Sequence, residues 1–407
     1  MLAAAPEPHT DDMTQDLDPG ARRVDAGRLA WLESELASWH DDGLVDDTQA
    51  QAIRGRYVAA RRFSLARLLL LLGGGFVGVG LLWLVASNLD ELSPLLRFLV
   101  VTALWLGFVA TAELLTRRRT QLVVGGFRLL ASLAFGAVVF QAAQSLQVPA
   151  YEPALVGVWG LGALLYAYAV AGVPPLLVGV TTTTVWFVWT VFDTAEDGMG
   201  FVLPVLLAAV IAGAVSVVHA ARVRPAFAAP WRDTSALMVL LGLFVAAFPD
   251  VDAAGFVWSA PLSLGVLAAL TAVAAAAVLA PRARAEALAP LAGVVAGVLL
   301  VLWEPPAPVM GAVSGEGYAH AFVSVAVYVV AAGWYAVLGV LRDSSRLTYL
   351  ATAALVLFTT VQSFAVFAPI ITGATLFLVL GVIFLGSGFL FDRGRRHLTA
   401  NLGGAPA

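Results

Sequence analysis

The sequence predicts an all-α fold: a polytopic integral membrane bundle of about twelve transmembrane helices with a small N-terminal cytoplasmic helical hairpin. Three observations carry this expectation. The chain has 407 residues, 60% hydrophobic and only 12% charged, with a mean hydropathy of +0.88. A soluble domain carries about twice that charged fraction. The apolar residues fall in runs of about 20, the length that crosses a hydrocarbon layer of about 30 Å. The arginines are sorted to alternate ends of those runs.

Residues 1–24 are rich in Pro, Asp and Ala, lack an apolar core, and read as a disordered tail. Residues 25–62 read as the helical hairpin. Leu29, Leu32, Leu36 and Trp39 recur at helical spacing and share one face. Gly43 is placed to end the first helix in a left-handed conformation. Asp46 and Gln49 form a capping-box pattern that opens the second helix, with Ile53, Tyr57 and Ala60 as its apolar face.

Residues 63–396 divide into twelve apolar segments, and 397–407 form a cytoplasmic tail. The segments are Ala66–Ser87, Leu95–Leu115, Val124–Leu146, Ala154–Gly172, Pro174–Phe192, Phe201–Ala220, Ser235–Phe248, Ser259–Ala280, Glu286–Trp303, Ala319–Leu341, Leu347–Phe367 and Ile370–Phe391. Arg61, Arg62 and Arg67 precede the first. Further arginines follow at 117–119, 128, 222, 224, 232, 282, 284, 342, 346, 393, 395 and 396, all at alternate segment ends. The opposite ends carry Asp90, Glu91, Glu152, Asp193, Glu196, Asp197, Asp250, Asp252, Glu304 and Glu316, with Arg97 the lone basic residue. By the positive-inside rule this pattern predicts a plasma-membrane protein with both termini cytoplasmic. Tryptophans near segment ends, including Trp159, Trp186 and Trp303, are expected to anchor at the interface.

The chain has no Cys, which excludes disulfides, thiolate metal sites and a cysteine nucleophile. Its five histidines are scattered, so no metal is expected. The glycine-rich stretch from Gly73 to Gly80 lies in an apolar run with no Lys after it, and so is not a phosphate loop. No cofactor, no nucleic-acid partner and no enzymatic activity are expected. Glu113 lies near a segment end beside Arg117, and Arg128 is placed to snorkel.

Uncharged polar residues within the segments are the candidate functional positions. Gln141 and Gln144 share one face. Thr181, Thr182, Thr183 and Thr184 form a run, and Gln362 lies in the eleventh segment. Such groups avoid lipid. They either bond between helices or line a polar cavity. Asn88, Asp90 and Arg97 form a candidate outer-loop cluster. Trp39, Leu44 and Tyr57 form a candidate partner-binding surface on the hairpin.

Leu36–Tyr57, with Trp39, Asp42-Gly43-Leu44-Val45 and Gln49-Ala50, precedes an Arg-Arg pair and a glycine-rich segment. Asn88, Asp90, Arg97, Phe140-Gln141 and Trp159 follow. This succession resembles the DUF2157 family of predicted membrane proteins over Leu29 to Ala171. Leu89 stands where the family usually has Trp. The resemblance implies a membrane architecture and carries no catalytic residues. Two functional readings are expected: transport or lipid and small-molecule handling through a polar intramembrane cavity, and a non-enzymatic scaffold or sensor whose hairpin binds a cytoplasmic protein. The lipid bilayer is the partner in either case.

Overall fold

The computed structural model describes residues 22–24, 26–59, 73, 76, 80, 93–117, 121–147, 149, 151–195, 197–306 and 314–362. The chain divides into two compact units, 1–74 and 75–407.

In the first unit, strand β1 (Arg22–Val24) leads into helix α1 (Ala26–Asp41), helix α2 (Asp47–Gly55) and strand β2 (Tyr57–Ala59). The predicted turn is present. Gly43 adopts φ +71°, and the Leu44 amide donates to the Trp39 carbonyl at 2.8 Å, closing α1. Asp46 accepts from the Gln49 amide at 2.7 Å, and the Gln49 side chain accepts from the Asp46 amide at 3.1 Å. Leu36 is buried, whereas Leu32 and Trp39 are only half-buried.

Two expectations need correction here. Residues 22–24, assigned to a disordered tail, form β1, and Tyr57 leaves the helix to form β2. The strands pair in parallel, Arg22 opposite Tyr57 and Val24 opposite Ala59. Aromatic and β-branched residues favour an extended backbone, and α1–α2 supplies the crossover that a parallel pair requires.

The second unit is helical among its described residues: α3 (Pro94–Leu115), α4 (Gln121–Ser145), α5 (Pro153–Val170), α6 (Val173–Ala195), α7 (Gly198–Ala221), α8 (Pro225–Ala246), α9 (Ala260–Leu279), α10 (Arg284–Leu302), α11 (Gly315–Leu341) and α12 (Ser345–Gln362). Eight of these, all but α8 and α12, are long and apolar enough to cross a membrane. The first and twelfth expected segments lie outside the described residues, apart from the helical positions 73, 76 and 80. The seventh segment begins earlier than expected. Pro225 opens α8, as its fixed φ favours at a first helical position, and this places Arg232 and Asp233 inside the helix.

Short links reverse the chain between helices. The Met199 amide, at the start of α7, donates to Asp252 beyond the end of α8. Arg222, at the end of α7, donates to the Leu279 carbonyl at the end of α9. Helix α7 is the centre of the unit: it packs on α6, α8, α9 and α10, and 78% of its most apolar stretch is buried. An all-round apolar helix is stable only when enclosed in this way or surrounded by lipid. A second core joins α8, α11 and α12, where Tyr328 and Phe358 stack at 3.8 Å. Outward rows such as Leu264, Leu267 and Leu270 on α9 are exposed, the arrangement that suits a lipid solvent.

Trp159 and Trp186 pack between helices. Trp159 donates to the Ser132 carbonyl at 2.8 Å and lies against Gly136, while Trp186 lies against Gly157. A Cβ at Gly136 would meet the indole at 2.5 Å, so the α4–α5 approach requires glycine there. We predict that Gly136→Ala destabilises the chain by about 1–3 kcal/mol. Gly126→Ala, in open space on the same helix, should be neutral or slightly stabilising. Thermal unfolding of both variants in detergent checks this.

Candidate functional site

Two polar fastenings organise the helix ends. The first joins α3, α4 and α5. Arg128 donates to both carboxylate oxygens of Glu113, at 3.0 and 2.8 Å, and to the Val170 carbonyl at 3.2 Å. The Tyr166 hydroxyl donates to Glu113 at 3.1 Å. This corrects the expectation that Arg128 snorkels and that Glu113 sits with Arg117. Arg128 turns inward because a bidentate carboxylate and a terminal helix carbonyl together satisfy its fork. Its side chain is only 11% exposed.

The second fastening joins α8, α10, α11 and α12. Glu286 accepts from Arg342 Nε at 3.0 Å and also from its Nη2, and it lies 4.0 Å from Arg232 Nη1. Arg346 pairs with Asp233 at 3.5 Å. Three guanidiniums thus face two carboxylates, and the Glu286 and Arg232 side chains are largely enclosed. Arg232 Nε and Asp233 Oδ1 are buried and have no hydrogen-bond partner among the described residues.

A crevice of about 480 Å³ adjoins this cluster, between α8, α10 and α11. Val239 and Leu243 of α8, Ala289 and Gly293 of α10, and Val330 and Trp334 of α11 are among its walls. Its polar boundary is Tyr335, whose hydroxyl lies 3.5 Å from Ser235 Oγ. Ser235 in turn donates to the Ala209 carbonyl at 2.8 Å. Glu286 lies three residues before Ala289 on α10, and Arg342 lies two turns beyond Tyr335 on α11. The charged cluster therefore lies one to two helical turns beyond the walls of the slot, at its Tyr335 end.

None of the polar residues singled out from the sequence lines this slot. Gln141 and Gln144 are on α4, the former half-buried and the latter exposed. The four threonines are on α6, which packs on α4. Thr182 bonds its own helix at the Val178 carbonyl, 2.7 Å away, while Thr183 Oγ1 is buried without a partner among the described residues. Gln362 is buried on α12, which packs on α8 and α11. Arg97 is half-buried in α3, and Asn88 and Asp90 lie outside the described residues. In the first unit Leu44 is exposed, and Trp39 and Tyr57 are half-buried. Among the described residues no three His, Asp or Glu side chains converge as metal ligands.

Sequence reasoning read the arginines as topology signals and so missed their convergence. Helical spacing offered one clue: Arg232-Asp233 lies just before Ser235, and Glu286 two turns before the Gly293/Gly297 face. His219 was also missed as a partner. Its Nδ1 lies 2.8 Å from the Val215 carbonyl, which makes it the donor, and its Nε2 then accepts from the Tyr168 hydroxyl at 2.9 Å.

Removing one partner of this half-buried ion pair leaves Arg128 without its carboxylate. Because Glu113 is itself 40% exposed, Glu113→Gln should destabilise the chain by only about 1–2 kcal/mol. Adding Arg128→Gln should recover most of that loss, a coupling that a double-mutant cycle measures directly.

No curated protein matches the chain, and no solved structure does. A family model does match, and it spans the Glu113–Arg128–Tyr166 fastening but not the crevice. Over residues 37–174 the chain is similar to the DUF2157 family, described as a predicted membrane protein.

Proposed function

We infer that this membrane protein handles lipid, accommodating an acyl chain in the crevice between α8, α10 and α11. The carrying observation is the slot itself: about 480 Å³, walled by aliphatic and aromatic side chains, and within the range of small-molecule sites. The α11 wall from Ala326 to Tyr335 runs about 14 Å at the helical rise, enough for part of an acyl chain. This replaces the polar pathway anticipated from Gln141, Gln144 and Gln362 with an apolar one. The reading takes the protein as twelve-spanning and non-enzymatic, set in the plasma membrane with both termini cytoplasmic. The sorting of arginines supports that orientation, and the shared end of α8, α10, α11 and α12 that carries Arg232, Arg342 and Arg346 is consistent with it.

A second reading, a scaffold or sensor acting through the first unit, is favoured by the exposed apolar side chains of Trp31 and Leu44. Its test is whether deletion of residues 25–57 changes the set of co-purified proteins; an unchanged set removes it.

Filling the slot tests the lipid reading. Ala292→Phe combined with Ala331→Phe places two rings where the acyl chain would lie. Mass spectrometry of the detergent-purified chain should find glycerophospholipid retained by the wild type. Retention should fall about tenfold in the filled variant, the equivalent of roughly 1.4 kcal/mol. Equal retention in both contradicts the reading.

A further inference from the structure

We propose that the charged cluster at the Tyr335 end of the crevice is a headgroup site for a phospholipid whose headgroup carries its own N–H donors, phosphatidylethanolamine being the probe of that class. The proposal rests on the lipid reading above and specifies which lipid the slot takes. The acyl chain lies along Gly293 and Trp334. The phosphate lies against Arg232 and Arg342, and the headgroup ammonium reaches Asp233.

The argument begins with unfinished bonding. A guanidinium offers five donors, yet Arg232 meets a carboxylate of the described residues only at 4.0 Å, and its Nε is buried without a partner. Its side chain is 12% exposed, so bulk water gives it little compensation. A buried donor left unmatched is costly, and a phosphate presents acceptor oxygens that the guanidinium fork matches.

The adjacent residue is unfinished in the opposite sense. Asp233 uses Oδ2 on Arg346 at 3.5 Å, while Oδ1 is buried with no donor among the described residues. A ligand that fits both residues must bring an acceptor and a donor together. Phosphoethanolamine does so, whereas phosphocholine has the phosphate but no N–H. Glu286 meets the need of Arg232 only in part: Arg342 takes its Oε2 twice, and its Oε1 stops 4.0 Å from Arg232 Nη1, leaving Nε unmatched.

Position supplies the remaining argument. Arg232 lies seven residues before Val239 and Arg342 seven after Tyr335, so both charges stand about 10 Å along their helices from the apolar wall. A lipid places its polar group at that kind of remove from its chains. A free anion needs no such slot.

The test uses the full chain, stripped of lipid in detergent and titrated with phosphatidylethanolamine, phosphatidylcholine or inorganic phosphate under native mass spectrometry. The expected result is a preference of about tenfold for phosphatidylethanolamine over phosphatidylcholine, weakened by salt. Asp233→Asn should erase the preference, whereas Arg232→Gln should weaken both lipids alike and Arg232→Lys should keep part of the affinity. Equal binding of the two lipids overturns the headgroup site and leaves the crevice reading standing. Binding of neither removes the crevice reading as well. Inorganic phosphate binding as tightly as phosphatidylethanolamine also overturns the proposal, since the site would then serve a soluble anion. The wild-type preference is decisive by itself if Asp233→Asn does not fold.

Discussion

Glu286 is the carboxylate on which the second half of the bundle is fastened. A charge withdrawn from water costs several kcal/mol unless it is paired and bonded. Glu286 is 10% exposed and meets that requirement with Arg342 of α11 and Arg232 of α8. Three helices are therefore held at one end by a group that none of them can leave unpaired. Arg346 and Asp233 extend the tie to α12. Beyond the charged end the α8, α10 and α11 side chains are small or apolar, and the helices leave room between them for the crevice. The polar fastening and the apolar slot are thus parts of one construction.

The same logic operates at α3, α4 and α5 with different residues. Arg128 and Glu113 form a two-pronged pair, and the Val170 carbonyl at the end of α5 takes a further donor. A cation at a helix C-terminus is favoured by the aligned peptide dipoles as well as by the bond itself. Between the fastenings, apolar close packing suffices. Trp159 rests on Gly136, and Leu206 of α7 occupies the space beside Gly297 of α10. Contacts of this kind drive helix association where no water is present to expel.

The helix pattern was legible in the sequence because hydrocarbon thickness leaves few choices of segment length. Expected and observed ends differ by only a few residues for α3 to α7. The capping box at Asp46 and the left-handed Gly43 were legible for a related reason: each is fixed within four residues. Tyr57 misled because its spacing continues a helical face, while pairing with residues 22–24 depends on a distant partner. The candidate site was far less legible. Arg232, Glu286 and Arg342 are more than a hundred residues apart across the set, and each alone reads as a loop charge. Only the packing of α8, α10 and α11 brings them to one cluster. The glutamines and threonines drew attention as polar groups in apolar runs, yet one of them, Thr182, is satisfied by its own helix backbone.

In the proposed topology the sorting of arginines puts the Arg232–Glu286–Arg342 fastening on the cytoplasmic side. The chain has no native cysteine, so single substitutions report sidedness without background. Ser345→Cys lies beside the fastening at the start of α12, and Ala254→Cys lies in the link between α8 and α9. A membrane-impermeant thiol reagent applied to intact cells should label position 254 at once and position 345 only after permeabilisation. Labelling of both positions from the same side would contradict that topology, and with it the placement of the charged cluster.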